Sequence, residues 1–394
     1  MLQSLLDRTF RTRAVAVRLP DGRTLTAGPG EPELTAVIET RRALAAIAAD
    51  PELRLGEAYM DGAFRIEGGD IYDFMALAAS QLSHQNRRLG LGWRLRRAME
   101  QANDRRHARA NVHHHYDLTV DFYRLFLDPD LQYSCAYFET PEATLEQAQA
   151  AKKRRLIDKL VLSPGHRALD IGCGWGGLGL SLARAGARVT GVTLSTEQHR
   201  TANERAAAEG LSDRADYRLQ DYRDLDGPFD RIVSVGMFEH VGAPNYQAYF
   251  DTVARLLTDD GVAVIHSIGR KGPPSRTQPW IRKYIFPGGY IPALSEVFPA
   301  IERSGLWVTD MEVLRLHYAE TLKAWRERFL ARRDEALAMY DDRFCRMWEF
   351  YLAVSEVAFR ELGQMVFQLQ LTRRPDAVPL TRDYLCRSSA GGGE

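Results

Sequence analysis

Apolar and polar residues alternate in RAVAVRLP and again in RTLTAG, on either side of Asp21-Gly22. Such alternation around an Asp-Gly pair predicts a β-hairpin. From Glu33 to Asp50, Leu34, Val37, Ile38, Ala45 and Ala48 recur at helical spacing and predict one helix. GEAYMDG (56–62) reads as a turn-rich link, and Ile71 to Leu82 as a further amphipathic helix. Residues 1–83 therefore form a small α+β unit in which nothing looks catalytic.

Further along, RALDIG (167–172), ARVTGVTL (187–194), ADYRLQ (215–220), FDRIVSVG (229–236) and GVAVIHSIG (261–269) are strand candidates. Helical stretches at 176–185, 196–209 and 244–257 separate them. That alternation predicts an α/β fold with a doubly wound parallel sheet, whose ligands sit at the carboxyl ends of the strands. Beyond residue 270 comes a Pro/Gly-rich segment with ordered aromatics, KGPPSRTQPWIRKYIFPGGYIP, which reads as a binding loop. Long helices rich in Trp, Phe and Tyr follow. The organisation expected is thus an accessory domain (1–83), a linker (84–110), a large α/β domain (111–386) and a flexible tail (387–394).

Composition narrows the classes. The 394 residues carry 52 basic and 52 acidic side chains, a formal charge of zero, which argues against a nucleic-acid coat protein. No apolar run approaches the ~18–20 residues that span a bilayer. MLQSLLDRTFRTRAVAV lacks a signal-peptide pattern. The cysteines Cys135, Cys173, Cys345 and Cys386 form no CxxC, so the expectation is a reducing cytosol. The linker stands apart. Arg87, Arg88, Arg94, Arg96, Arg97, Arg105, Arg106 and Arg109 face only Glu100 and Asp104, with Leu89, Leu91, Trp93, Leu95 and Met99 interleaved. It reads either as a solvated linker or as a basic, Trp-bearing segment lying on anionic lipid.

The candidate chemistry gathers at the strand ends. Asp170-Ile171-Gly172-Cys173-Gly174-Trp175-Gly176-Gly177 follows one strand and opens a helix, so backbone can approach a ligand closely there. A dinucleotide site would place an acid at the end of the next strand, which instead reads Thr193-Leu194-Ser195. Asp221 is placed to meet an adenine amino group. These features favour S-adenosylmethionine (SAM) over NAD. Five further places set polar groups among apolar ones: Tyr133-Ser134-Cys135, Gly236 to His240 with Glu239, His266-Ser267-Ile268, His317-Tyr318, and His113 to Asp117. The three adjacent histidines are not read as a metal site, because strand neighbours point to opposite faces and no second ligand pair accompanies them. Singly, each place reads more readily as structural than as catalytic. Their shared position raises the joint case.

The motifs HYDLTVDFYRLFLD, YSCAYFE, LDIGCGWGG, GVTLSTEQ, DYRDL, FDRIVSVGMFEHVG, HSIG, WIRKYIFPGGYIP and YAETLKAWRERF together carry a family likeness. Over nearly its whole length the sequence resembles the bacterial cyclopropane-fatty-acyl-phospholipid synthases and the related mycolic acid cyclopropane synthases. The segment with LGEAYMDG looks like the extra domain of the phospholipid-acting enzymes. The resemblance implies a Rossmann-like SAM-dependent methyltransferase domain behind a small N-terminal α+β domain. It implies methyl transfer from SAM to a cis double bond of a phospholipid acyl chain, with bound bicarbonate as proton acceptor.

The implied bicarbonate pocket comprises Cys135, Glu239, His266, Tyr318 and the backbone N–H of Ile268. The implied SAM contacts are Tyr133, Ser134, Gly172, Gly174, Thr193, Leu194, Gln198, Asp221 and Tyr222. Methyl transfer leaves a carbocation on the chain, and Tyr116, Tyr137, Phe138 and Trp280 are the aromatic faces proposed to stabilise it. No metal is expected. An enzyme of this kind would work in the cytoplasm, peripherally on the inner face of the membrane. For the first domain, lipid docking and homodimerisation both stay open.

The sequence also departs from the family pattern. HYDxGND reads His115 to Asp121 with Thr119-Val120 in place of Gly-Asn, and the run before the pocket tyrosine is Val313-Leu314-Arg315-Leu316-His317. These changes bear on the shape of the acyl chain accepted. Three functions compete. One is cyclopropane synthesis on phospholipid. The second is the same fold giving a methyl-branched or methylene product, or N-methylating a small amine. The third is a non-catalytic membrane-binding module.

Overall fold

The computed structural model describes residues 2–81 and 118–385. The basic linker, His113 to Asp117 with Tyr116, Cys386 and the tail lie outside the described residues.

The predicted hairpin forms from β1 (Val15–Arg18) and β2 (Thr24–Ala27), antiparallel, with Gly22 at φ +84° in the turn. The single helix expected from residue 33 does not form. Instead, β3 (Thr35–Ile38) pairs parallel to β1, and β4 (Phe64–Glu67) pairs antiparallel to β3, giving the order β2-β1-β3-β4. Ala36, Val37 and Ile38 are all buried between neighbouring strands. The apolar run is a central strand, and burial on both faces mimics helical spacing. The helix begins only at Arg41, capped by Thr40 Oγ1, which accepts the Ala43 N–H at 3.1 Å. GEAYMDG is likewise corrected. Most of it lies in the helix Pro51–Met60, capped by Asp50 with Pro51 in the first turn. Gly56 is there for closeness: a Cβ would stand 2.6 Å from the Trp280 ring. The helix Ile71–Ser80 forms as predicted and opens on an Asp70/Asp73 capping box.

The second sheet comprises β5 (Arg167–Ile171), β6 (Arg188–Thr193), β7 (Ala215–Leu219), β8 (Phe229–Val235), β9 (Leu257–Arg270), β10 (Trp307–Val313) and β11 (Gln364–Thr372), in the order β10-β11-β9-β8-β5-β6-β7. The five predicted strands form its parallel part. The chain runs outward from β5 to β7 and then returns to the other side at β8. The β5/β8 crevice is the switch point where a ligand is expected. β11 extends the sheet antiparallel to β9, and β10 lies antiparallel to β11. Nearly every β11 residue is buried, yet apolar and polar residues alternate strictly from Phe367 to Thr372, a strand period inside a region read as long helices.

One apolar core joins the two domains, running from Phe10, Val17 and Phe64 to Cys135, Tyr318 and Trp348. Polar contacts sew the seam around it. Glu57 accepts from Lys283 Nζ at 2.6 Å and from Tyr284 at 2.9 Å, and Tyr59 donates to Glu349 at 2.7 Å.

Candidate active site

The turn after β5 is built for close approach. Gly172, Gly174 and Gly176 have φ of +79°, +53° and +85°, and Gly172 and Cys173 donate to Val192 O on β6. A Cβ on Gly174 would meet no atom within 4 Å, so it would stand in an open cleft. All nine expected SAM contacts line that cleft: Tyr133, Ser134, Gly172, Gly174, Thr193, Leu194, Gln198, Asp221 and Tyr222. Thr193 donates to Gln198 Oε1 at 2.8 Å, which ties β6 to the following helix. Asp221 holds Arg223 through both carboxylate oxygens, 2.9 Å from Nε and 2.6 Å from Nη2. Asp170 lies beneath the turn, and its Oδ2 has no partner among the described residues. Burial raises its pKa to about 7. An unpaired buried acceptor below a Cβ-free cradle fits the charged amino-acid end and nucleoside of SAM.

A second, larger cavity of about 720 Å³ meets this cleft at Tyr133, Ser134, Gly236 and His240. Cys135, Glu239, His266, Ile268 and Tyr318 all line it, so the fold gathers the five expected pocket residues from four separate segments. Glu239 Oε1 accepts the Ile268 N–H at 2.6 Å, while Oε2 has no partner among the described residues. The Ile268 amide is thus engaged by Glu239 rather than left open to the cavity. Burial raises the Glu239 pKa to about 7. Near neutrality its unpaired oxygen can therefore carry or accept a proton. The Cys135 thiol is fully buried, which pushes its pKa up and makes it a poor thiolate.

Behind these residues lies a layer that sequence reasoning did not find. Lys159 Nζ bonds Glu312 Oε2 and Gln368 Oε1, each at 2.6 Å. An ammonium can only donate, so the Gln368 amide oxygen faces it and the amide nitrogen faces His266 Nδ1, 3.0 Å away. His266 Nδ1 is then an acceptor. Its proton sits on Nε2, where it can donate to an oxyanion. Burial lowers the His266 pKa, which keeps the ring neutral. Lys152, also buried, donates to Gln132 at 2.5 Å and to Ser134 Oγ at 2.9 Å, and its pKa falls to about 8. It places a cation directly behind an expected SAM contact. In sequence, nothing in KKRRLIDK marks Lys152 or Lys159 as buried.

The expected cation-stabilising aromatics are mostly elsewhere. Trp280 fills the notch at Gly56, packs on Phe350 at 4.6 Å and points Nε1 at Met60 Sδ. The Tyr137 ring lies against His317 at 4.5 Å and under Arg155, while the Phe138 N–H donates to His317 Nδ1 at 3.1 Å. None of the three lines the cavity. The aromatic faces that do so include Tyr133, Phe286, Tyr318 and Tyr351. His317 and Tyr318 follow β10, which ends at Val313, and begin the helix His317–Ala331.

The family described as Mycolic acid cyclopropane synthetase matches residues 103–369. The chain belongs to this family. By membership it is a SAM-dependent methyltransferase of the cyclopropane synthase class. A second family, described as a domain of unknown function, matches residues 1–86. The cyclopropane-fatty-acyl-phospholipid synthase of Escherichia coli is 42% identical over 332 residues, covering 82% of this chain and 84% of that one. A Pseudomonas putida protein named "Probable fatty acid methyltransferase" is 37% identical over 384 residues, 94% of this chain and 96% of its own. Among solved structures, the cyclopropane synthase MmaA2 of Mycobacterium tuberculosis superposes with a TM-score of 0.63 at 34% identity, over 67% of this chain and 97% of that one. The mycolic acid cyclopropane synthase CmaA1, solved with S-adenosylhomocysteine (SAH) and CTAB, gives 0.63 at 36% identity over the same shares.

Proposed function

We propose that this cyclopropane-synthase-class enzyme acts on phospholipid, converting a cis double bond of an acyl chain to a cyclopropane ring with bicarbonate as proton acceptor. One observation carries the reading. A mainly apolar cavity opens onto the SAM cleft at Tyr133, Ser134, Gly236 and His240, and Glu239, His266 and Tyr318 set polar groups among its apolar walls. SAM, held by Tyr133, Ser134, Gly172, Gly174, Thr193, Leu194, Gln198, Asp221 and Tyr222, would supply an electrophilic methyl group. Bicarbonate, held by Glu239, His266 and Tyr318 beside Cys135 and Ile268, would supply a base.

The chain's own residues do the rest. Gly236 keeps the junction open, since a Cβ there would meet no atom within 4 Å and would stand between cleft and cavity. The cavity walls orient an alkene, a weak nucleophile, and keep water from the cationic chain. The rings of Tyr133 and Tyr318 face the space where that charge develops. Glu239 would accept the bicarbonate O–H, and the His266 Nε2–H would donate to another of its oxygens. Relatives named as fatty acid methyltransferases support a second product, a methyl-branched chain, in which the proton leaves from elsewhere. A small amine has no match in so large an apolar cavity.

The test is lipid analysis after incubating the protein with SAM, bicarbonate and cis-unsaturated phospholipid vesicles. A gain of about one CH₂ with ring protons in the NMR spectrum is expected. A branched alkene would replace the ring reading and keep the class. No gain would overturn the substrate. We also infer peripheral binding through the basic stretch 84–110, outside the described residues. Reversing Arg94, Arg96 and Arg97 to Glu is expected to weaken binding to anionic vesicles, and unchanged binding would remove that role.

A further inference from the structure

The cavity does not stop at the reacting centre. From Tyr318 and Leu322 it passes along Val354 and Ala358, on the helix Asp342–Arg360, and enters the N-terminal domain. There its walls are Leu6, Phe10, Val17, Ala36, Phe64 and Phe74, which are also the core residues of that domain. The small domain is therefore hollow where a domain of its size would be packed solid. Protein interiors hold few voids larger than a water molecule, and an apolar void of this size is unfavourable unless something fills it.

We propose that this hollow core is the binding site for the methyl-terminal segment of the acyl chain, so that the N-terminal domain selects where along the chain the reacting double bond lies. The inference rests on the lipid reading above and deepens it. Three observations point the same way. The far end is closed, since Val17, Ala36 and Phe64 are each less than 4% exposed. It is also uncharged. Outside the reacting centre the charged lining residues among the described residues are Glu52 and Arg276, which pair with each other at the exposed rim. A phosphate headgroup finds no partner at the closed end, whereas a hydrocarbon terminus needs none. Lastly, the space is continuous with the pocket of Glu239 and His266, so one chain occupies both. A chain that bottoms out against β1 and β3 presents a fixed number of carbons between its methyl end and the reacting centre.

Ala36→Phe and Val17→Phe, each in the full-length protein, fill the closed end. Vesicles carrying equal amounts of oleoyl and cis-vaccenoyl phospholipid supply the substrate. The two chains have the same length, but oleoyl carries two more carbons beyond its double bond. Both variants are expected to lower the oleoyl-to-cis-vaccenoyl product ratio by roughly tenfold or more against the unaltered protein. An unchanged ratio in both variants overturns the proposal. A raised ratio places the headgroup side of the chain in the N-terminal domain and overturns it as well.

Should either variant lose all turnover, displacement of bound cis-parinaric acid by oleate and by cis-vaccenate gives the same comparison at the level of binding, with a melting curve to establish the fold. A preference shifted toward cis-vaccenate relative to the unaltered protein supports the proposal, and an unchanged preference or one shifted toward oleate overturns it. If the unaltered protein binds both fatty acids but methylates neither lipid, the lipid-methylation reading fails. In that case the binding comparison still decides whether the hollow core takes a chain end.

Discussion

His266 is held by groups that leave its ring one tautomer. Glu312 anchors Lys159, Lys159 fixes the Gln368 amide, and the amide nitrogen donates to Nδ1. A carboxylate at position 368 can only accept, so Gln368→Glu should move the ring proton to Nδ1 and leave Nε2 bare. Turnover is expected to fall roughly 10²-fold, the cost of losing one donor to a developing charge. Nitrogen NMR of histidine-labelled protein should show the change of tautomer. An unchanged tautomer would mean that the network does not set it. Glu239 carries a second prediction. Its pKa rises from 4.5 to about 7 on folding, so the folded protein keeps a proton that the unfolded chain has lost. The stability this gives is complete below about pH 4.5 and disappears as the pH rises through about 7. Glu239→Gln should abolish that alkaline loss, up to about 3 kcal/mol, while cutting turnover roughly 10²-fold. Denaturation curves at about pH 5 and about pH 8 check it, and equal slopes for both proteins would refute it. The glycines, Glu239 and His266 were legible in the sequence at strand ends, whereas grouping Cys135 and Tyr318 with them rested on the family resemblance. Gln368 and Lys159 were not legible. Gln368 lies in an alternating strand within a region read as long helices, and Lys159 lies among the charged residues of KKRRLIDK.

At the scale of elements, the five central strands and their helices followed from periodicity, since amphipathic helices alternate there with short apolar runs. Where burial is two-sided the period vanishes. That is why β3 reads as part of a helix; β11 does alternate, from Phe367 to Thr372, but lies in a region whose many aromatics read as long helices. Glycine misled in the opposite direction. Gly56 suggests a turn, yet it lies inside the helix Pro51–Met60 because Trp280 and Phe350 press on that position, with a Cβ destined to sit 2.6 and 2.9 Å from their rings. The propensity scale gives Gly→Ala in a helix up to about 1 kcal/mol of added stability. Here the sign should reverse. Gly56→Ala is expected to cost about 1–3 kcal/mol through overpacking. The smaller ring of Trp280→Phe should recover part of that loss in the double variant. Thermal melts of the two single variants and the double variant form the cycle, and strictly additive losses would show that the two residues do not meet.

At the scale of the whole molecule, the two domains are stitched by interior as well as by surface. Trp280 is fully buried at their junction, between Gly56 and Met60 of one domain and Phe350 of the other. Around it, Glu57 takes Lys283 and Tyr284, and Tyr59 takes Glu349. Domains joined by a largely polar seam can part, whereas a shared apolar core ties their stabilities together. Heating should therefore give one calorimetric transition. Trp280→Ala should lower the stability by about 3–5 kcal/mol, the range for emptying a buried aromatic site. Amide exchange should rise together in β1 and β3 of the small sheet and in the helix Asp342–Arg360. Two separate transitions, or exchange rising in one domain alone, would mean that each half folds on its own core. The larger cavity gives the single-transition expectation its weight. Its walls come from both domains, so a bound acyl chain would be one more apolar element crossing the junction. Anything that binds only the assembled form raises its stability. Saturating unsaturated phospholipid is thus expected to move that one transition upward, and to move it less in Ala36→Phe, where the closed end is filled.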